Sequence, residues 1–370
     1  MKKSVLEKKK INPKKVYLQY PWKFPDSPYY KYLVENPPQR IEYLNSQKQN
    51  GAITNKRFFW FSNFLKRNIR RFAKTLGIST PNAHLSLKGN YNLIHCAHCL
   101  SKNEDKPWVG DFEGKWQMYI GNESTPGRIK VKQILSNKNC KKILPWTNSA
   151  REELVKEFPN LKNKFEVVYP AIPEKKFVKI KKKNINLIFS GRYFFNKGGL
   201  HALEVINILT KKYRNVYGII NSEVPEKIKE KYSKNKKIKF HGLISQERLF
   251  KIYENSDIFV YPGYSDSFGF GYLEAMSFGL PIITVDGYAR KEIVEEGKTG
   301  FVINRPKNLD SETLNEQIIQ NLIEKTSLLI ENKKARKKMS NECIKLIKGG
   351  KFSIKERNKK LKRIYEDALK

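Results

Sequence analysis

Residues 264–279 read YSDSFGFGYLEAMSFG, placing two carboxylates, Asp266 and Glu274, on either side of a glycine-rich turn that opens a helix. Just upstream, residues 257–261 (DIFVY) form a short apolar run of the kind that makes a buried strand, and Pro262 and Gly263 end it. Downstream, residues 272–277 read as helix until Gly279 and Pro281 stop it. The N–H groups that follow Phe268, those of Gly269, Phe270 and Gly271, therefore fall where a helix begins. Unpaired donors and the positive end of the helix dipole favour an anion such as a diphosphate at that point. Glycine has no Cβ, so the chain can turn sharply and an anion can approach the backbone closely. Asp266 before the turn and Glu274 inside the helix can accept hydrogen bonds from hydroxyls at opposite ends of one ligand. A nucleotide sugar carries vicinal hydroxyls on both its ribose and its sugar.

Glycine turns between strand and helix are common in α/β proteins, so an ordinary turn with a surface aspartate and one helical glutamate is the competing reading. A second feature weighs against it. Residues 186–190 (NLIFS) form another apolar strand, followed by Gly191, Arg192, Asn196, Lys197, Gly198 and Gly199 and then by a helix over residues 200–212. Arginine offers a rigid fork to phosphate oxygens and lysine a mobile point charge. Two such turns in one domain suit a single anionic ligand.

Residues 189–199 (FSGRYFFNKGG) and 264–303 (YSDSFGFGYLEAMSFGLPIITVDGYARKEIVEEGKTGFVI) together resemble the C-terminal half of retaining family-4 glycosyltransferases, which have the GT-B fold. The likeness is specific from about Ile185 to Val302 and much weaker before Cys140. It implies that Arg192 and Lys197 hold the diphosphate of a sugar-nucleotide donor. The family's paired acidic motif is Glu, seven residues, Glu. Its second member falls on Glu274, implied to bind the ribose, and its first on Asp266, implied to touch the sugar hydroxyls. That aspartate is one methylene shorter than the family's glutamate, which bears on how the sugar ring is held. The resemblance also implies retention of anomeric configuration, the acceptor hydroxyl attacking on the leaving-group face.

Strands and helices alternate along the chain as parallel α/β sheets require. In the second half, strands are expected at residues 186–190, 216–220, 238–241, 257–261, 282–285 and 300–303. In the first half they are expected at 15–19, 92–96, 108–112, 142–145 and 166–169, with helices near 129–135 and 149–158. The expected architecture is α/β GT-B, two doubly wound Rossmann-like domains facing across a cleft. Residues 1–174 would be the acceptor-side domain, lysine-rich 175–184 the linker and 185–352 the donor-binding domain. A helix over 353–370 would cross back to the first domain, as its equivalent does in the GT-B fold. Ligands of such sheets sit at the carboxyl ends of the strands. Base recognition is accordingly expected from backbone around residues 241–244, including Gly242.

A chain of 370 residues with 39% hydrophobic and 12% aromatic side chains can bury sizeable cores. No run of about 18 apolar residues is present to span a bilayer, and the basic N-terminus lacks the apolar stretch of a signal peptide. The expected location is cytoplasmic, with attachment to the inner membrane face as an option. The net charge is +37. Between Tyr43 and Asn103 there are ten Lys and Arg and no Asp or Glu. Within that segment residues 58–76 read as an amphipathic helix, with Phe61, Phe64, Leu65, Ile69, Phe72 and Leu76 on one face and Lys66, Arg67, Arg70, Arg71 and Lys74 on the other. Such a helix can lie on an anionic membrane, or pack on the N-terminal sheet with its charges solvated; both readings stand. Helix-turn-helix, zinc-finger and RNA-binding aromatic signatures are missing, so specific nucleic-acid recognition is not expected.

Four cysteines make no disulfide framework in a chain this long. The cluster His95-Cys96-Ala97-His98-Cys99 lacks the second ligand pair a structural zinc needs, because neither Cys140 nor Cys343 has a ligand-like neighbour. No metal and no resident cofactor are expected. The cluster should end a strand at the cleft rim, facing the acceptor. In residues 108–113 (WVGDFE), Asp111 or Glu113 could contact the sugar or the acceptor hydroxyl, the competing reading being ordinary strand-end acids. The family often has a histidine at that point, and its glycine-rich loop after the first strand is replaced here by an aromatic loop over residues 20–30.

The difficult chemical step would be departure of a nucleoside diphosphate, aided by fixed positive groups aimed at the β-phosphate, namely Arg192, Lys197 and the amides near Gly269. This layout needs no divalent ion, and no Asp-x-Asp is seen beside the site. The partners expected are a nucleotide-diphosphate sugar and an acceptor whose identity the sequence does not give. Two other readings compete with a transferase: a non-transferring enzyme on the same donor site, such as an epimerase, and a silent basic scaffold for membrane or nucleic acid.

Overall fold

The computed structural model describes residues 12–20, 28–46, 79–177 and 182–370, with Phe64, Asn68 and Thr75 as isolated helical positions. The amphipathic helix over 58–76, apart from those three residues, lies outside the described residues, as do 21–27 of the aromatic loop and 178–181 of the lysine-rich linker.

The first half runs β1 (Lys14–Gln19), α1 (Pro28–Glu35), β2 (Ile41–Leu44), β3 (Ser79–Pro81), β4 (Ala83–His84), β5 (Leu93–Ala97), β6 (Leu100–Ser101), β7 (Trp108–Phe112), β8 (Tyr119–Gly121), α2 (Thr125–Ser136), β9 (Cys140–Pro145) and α3 (Asn148–Glu157). Its main sheet is parallel, in the order β2-β1-β5-β7-β9. β5 and β7 are buried along their whole length, as strands covered on both faces must be. Sequence periodicity did not mark β2, which is only four residues long. The strand expected at 166–169 is not formed. That segment runs beside β9 through two backbone bonds, Glu166 N–H to Ile143 C=O (3.0 Å) and Val168 N–H to Pro145 C=O (3.1 Å), without building a ladder.

The second half continues β10 (Ile185–Ser190), α4 (Gly199–Lys212), β11 (Val216–Asn221), α5 (Glu226–Tyr232), β12 (Ile238–His241), α6 (Gln246–Glu254), β13 (Ile258–Val260), α7 (Phe270–Ser277), β14 (Ile282–Val285), α8 (Arg290–Ile293), β15 (Gly300–Ile303), α9 (Glu316–Glu331), α10 (Lys333–Lys348) and α11 (Ile354–Ala368). All six strands are parallel, in the order β12-β11-β10-β13-β14-β15. The chain thus winds outward from β10 in one direction and from β13 in the other. The crevice where such an order reverses is where doubly wound sheets hold ligands. Among the described residues no helix is long and apolar enough to cross a membrane.

Among the described residues, several contacts fix one half on the other. Glu292 of α8 accepts from the amides of Asn148 and Ser149, both at 2.7 Å, and from Tyr169 OH at 2.9 Å. A carboxylate is thereby set at the positive N-terminus of α3. Lys31 of α1 reaches Gln246 of α6 at 3.2 Å. The last helix, α11, packs on the first domain. Arg357, 1% exposed, donates to the carbonyls of Tyr32 (3.2 Å) and Asn36 (2.7 Å), and Tyr365 OH meets Tyr43 OH at 2.9 Å. Replacing Arg357 with Ala strips those buried carbonyls of their donor and leaves a cavity. Urea denaturation should register a loss of about 3 kcal/mol; an unchanged midpoint would mean that α11 does not brace the first domain.

Candidate functional site

The first turn follows β10. Gly191 N–H donates to Asn221 C=O at 3.1 Å, so its amide still belongs to the sheet edge. The amides of Lys197, Gly198 and Gly199 donate to Tyr193, Phe195 and Phe194 carbonyls at 2.9, 2.8 and 2.7 Å. This turn consequently presents side chains, Arg192 and Lys197, rather than backbone donors. Gly198 caps α4 at φ 76°, where an added Cβ would lie 2.5 Å from Pro262 Cβ.

The second turn follows β13. Gly269 caps α7 at φ 84°; Tyr272 N–H donates to its carbonyl at 3.1 Å, which leaves the amides of Phe270 and Gly271 as the ones without intrahelical partners. Two arginines strap the loop before it. Arg290, 1% exposed, donates to the carbonyls of Asp266 (2.6 Å) and Gly263, and Arg305 donates to Tyr264 C=O at 2.9 Å. Phe268 is buried in this loop.

The two turns are one structure. Gly263 N–H donates to Lys197 C=O at 2.9 Å. Lys197 Nζ pairs with Asp266 Oδ1, and Tyr261 OH donates to Asp266 Oδ2 at 2.8 Å. Both oxygens of Asp266 are therefore held, one by the lysine expected to face phosphate. Glu274, 8% exposed, accepts from Gln246 Nε2 at 2.9 Å, and Gln246 Oε1 accepts from Lys31 of the other domain. Burial pushes the Glu274 carboxyl above the ordinary glutamate range. The Gln246 hydrogen bond and the charges of Lys175, Arg192 and Lys31 oppose that push without cancelling it. Lys175 is in turn lowered by its own burial, and its ammonium lies 4.5 Å from the centre of the Phe250 ring. Gly242 sits exposed at the carboxyl end of β12, where Glu223 Oε1 accepts from the next amide, that of Leu243, at 3.0 Å.

Across the cleft, Asp111 and Glu113 occupy different environments. Asp111 is fully buried; it accepts from Tyr30 OH (2.8 Å) and His98 N–H (3.1 Å), and its Oδ2 lies 3.2 Å from His95 Nε2. Burial alone would raise its carboxyl, but the His95 hydrogen bond and the His95 and His98 interactions outweigh burial and hold it below the usual range. His95 Nδ1 meets Tyr365 OH of α11 at 2.6 Å, so the network extends through the domain to the last helix. Glu113 instead reaches over the cleft, accepting from Ser267 Oγ at 2.6 Å. Beside it the Trp146 ring lies 5.9 Å from Phe268, 5.8 Å from Phe270 and 4.9 Å from His98. His98, with φ 52°, turns the chain back after β5. That turn sets Cys96 and Cys99 with Cα atoms 5.2 Å apart, joined by a disulfide. Where no disulfide framework is expected from the four cysteines, this single bridge closes one local turn, and Cys140 and Cys343 remain thiols.

Arg192, Lys197, Asp266, Glu274 and the 269–271 turn converge on the β10/β13 crevice. Asp111 lies beneath the surface of the facing domain, and only Glu113 of that pair meets the loop before α7. Lys31, Gln246, Ser267 and Trp146 were not read from the sequence. Gln246 could have been flagged, since it opens a helix directly after a strand's carboxyl end.

Residues 172–346 match the family described as Glycosyl transferases group 1. The chain is 29% identical over 232 residues to a Klebsiella pneumoniae protein described as an uncharacterized 41.2 kDa protein in the cps region, covering 59% of this chain and 58% of that one. It is 26% identical over 222 residues to the GtfA subunit of the UDP-N-acetylglucosamine–peptide N-acetylglucosaminyltransferase of Streptococcus parasanguinis, covering 59% and 42%. The matched stretch thus spans about half the length of these relatives. A glycosyltransferase structure from Rickettsia africae superimposes with a TM-score of 0.62 at 15% identity, covering 97% of this chain and 100% of that one. At that identity the likeness establishes the fold, GT-B with two Rossmann-like domains.

The Asp111 network predicts an acid-dependent stability. Because the folded-state carboxyl is depressed, its contribution is full above the unfolded aspartate value of about 3.9 and is lost as pH falls through the lower folded value. Wild type should exceed Asp111→Asn by about 2 kcal/mol near neutrality, the gap closing below about pH 4. A gap independent of pH in urea titrations would contradict this.

Proposed function

We propose that the chain moves a sugar from a nucleotide-diphosphate donor to an acceptor hydroxyl, with retention of configuration and without a divalent metal, a reading that starts from the match of residues 172–346 to the glycosyl transferases group 1 family. The observation that carries this reading is the docking of the two glycine turns, which sets Arg192, Lys197, the start of α7 and two carboxylates around one crevice. A diphosphate lodged there meets a rigid guanidinium, an ammonium and unpaired amides. Charge that builds on the β-phosphate as the sugar leaves is then met by groups already in place. Those groups supply the positive charge a divalent ion would otherwise bring.

Glu274 is suited to the ribose, because a buried carboxylate with one oxygen on Gln246 can exchange that bond for a hydroxyl. Asp266 is suited to the sugar hydroxyls, its pairing with Lys197 tying the sugar's position to the phosphate's. On the acceptor side Glu113, His98 and Trp146 line the opposing wall, with Asp111 positioning His98 from below. The name of the streptococcal relative favours a uridine donor as the first to try.

A panel of sugar nucleotides, with UDP-N-acetylglucosamine and UDP-glucose first, tests this by product analysis. Arg192→Ala, Lys197→Ala and Glu274→Ala should each lower turnover by about 100- to 1,000-fold with the circular dichroism spectrum intact. Turnover within a few-fold of wild type in any of the three would refute the assignment. An epimerase would release an altered free donor without consuming acceptor, and a scaffold would bind no sugar nucleotide selectively.

The raised Glu274 carboxyl sets the sign of the pH dependence. As pH falls through that value the group takes up a proton, so donor affinity should decline at a pH above the ordinary glutamate value of about 4.3. Calorimetry on wild type and Glu274→Gln should show the decline only in the former. Parallel profiles would exclude Glu274 as the titrating acceptor.

A further inference from the structure

At the amino ends of the second sheet's strands, away from the carboxyl ends that border the β10/β13 crevice, the C-terminus of α4, the C-terminus of α5 and the loop into β12 line an open cavity of about 670 Å3. Lys211, Lys231, Lys234 and Lys236 line it, and all four are exposed. Its floor is built rather than loose. Asn235 Nδ2 donates to Asn207 Oδ1 (3.0 Å) and to the buried Thr210 Oγ1 (2.8 Å), while Lys237 Nζ donates to the carbonyls of Thr210 (2.8 Å) and Tyr213 (2.9 Å) at the end of α4. The loop carrying Lys234 and Lys236 is thereby tied to the helix that carries Lys211. The carboxylate in the lining, Glu204, already accepts from Tyr232 OH. Among the described residues none of the four lysines has a carboxylate within ion-pair distance, and the pair formed in this segment, Lys229 with Glu226, leaves them unneutralised. Residues 226–239 hold seven lysines against two glutamates, a local excess well above the chain's average.

Four ammonium groups around one concave site repel each other, and they are most stable with a ligand that returns several negative charges at once. A lone phosphate would neutralise only part of this set. A bilayer is flat and wants an apolar insertion, but the apolar lining here is Leu314 and the 4%-exposed Tyr232. Single-stranded nucleic acid wants exposed aromatic platforms for its bases, and Tyr232 offers none. We infer that this cavity is a binding site for a flexible polymer bearing repeated phosphate groups, remote from the crevice that holds Arg192 and Lys197.

The whole molecule is basic, so the test must separate this site from net charge. Binding of short-chain inorganic polyphosphate is measured over a salt series for wild type, for Lys231→Gln/Lys234→Gln/Lys236→Gln, and for a charge-matched control, Lys130→Gln/Lys132→Gln/Lys138→Gln, on exposed positions of the first domain. The site variant should lose at least about tenfold in affinity, with a salt slope shallower by roughly two to three, while the control stays near wild type. Equal weakening of both variants, or no weakening of the site variant, would overturn the inference. So would a site variant that keeps polyphosphate binding but loses an oligonucleotide or phosphatidylglycerol vesicles.

Discussion

One hydrogen bond, from Gly263 N–H to the carbonyl of Lys197, carries the architecture of the site. It can form because β10 and β13 are neighbours in the sheet though far apart in sequence, and because the chain winds away from them in opposite directions. At that reversal the two connections leave on opposite faces and a crevice opens between them. Everything the crevice offers follows from what each turn does there. The first spends its amides on itself and presents charged side chains, whereas the second opens α7 with its first amides free. Gly198, at positive φ, allows the turns to approach each other, since an added Cβ would run into Pro262; Gly269, also at positive φ, makes room for the Tyr272 ring of α7.

The electrostatics of the site cross the domain boundary. A buried carboxylate such as Glu274 is costly unless partnered, and its partners are drawn from several places. Gln246 comes from α6, Lys175 from the segment that joins the domains, and Lys31 acts on Gln246 from α1. The Ser267–Glu113 bond and the rings of Trp146 and Phe268 bring the same two surfaces together at the cleft mouth. The seating of the first domain, braced by α11 through Arg357 and Tyr365, therefore bears on how the Glu274 carboxylate is held.

The second half was legible in the sequence because its strands are buried on both faces and read as continuous apolar runs, β14 (IITV) being the plainest case. The basic and acidic residues at the two turns were legible because glycine and proline bracket them. The first half was harder for three physical reasons. β2 is too short for its alternation to stand out, and the 166–169 run is apolar enough to suggest a strand yet bonds at only two points. The direction of Asp111 depends on strand register, so an acid that looked poised at the rim is instead sealed under His98. Contacts such as Lys31 with Gln246 join residues whose local sequence gives no sign of each other.

The measurement that bears most directly on the central claim is a crystal structure of the chain with UDP. Pyrophosphate density should lie between Arg192, Lys197 and the first amides of α7, with the ribose hydroxyls on Glu274 in place of the Gln246 amide. Nucleotide density elsewhere, or a crevice still closed by the Lys197–Asp266 pair with no phosphate beside it, would contradict the account.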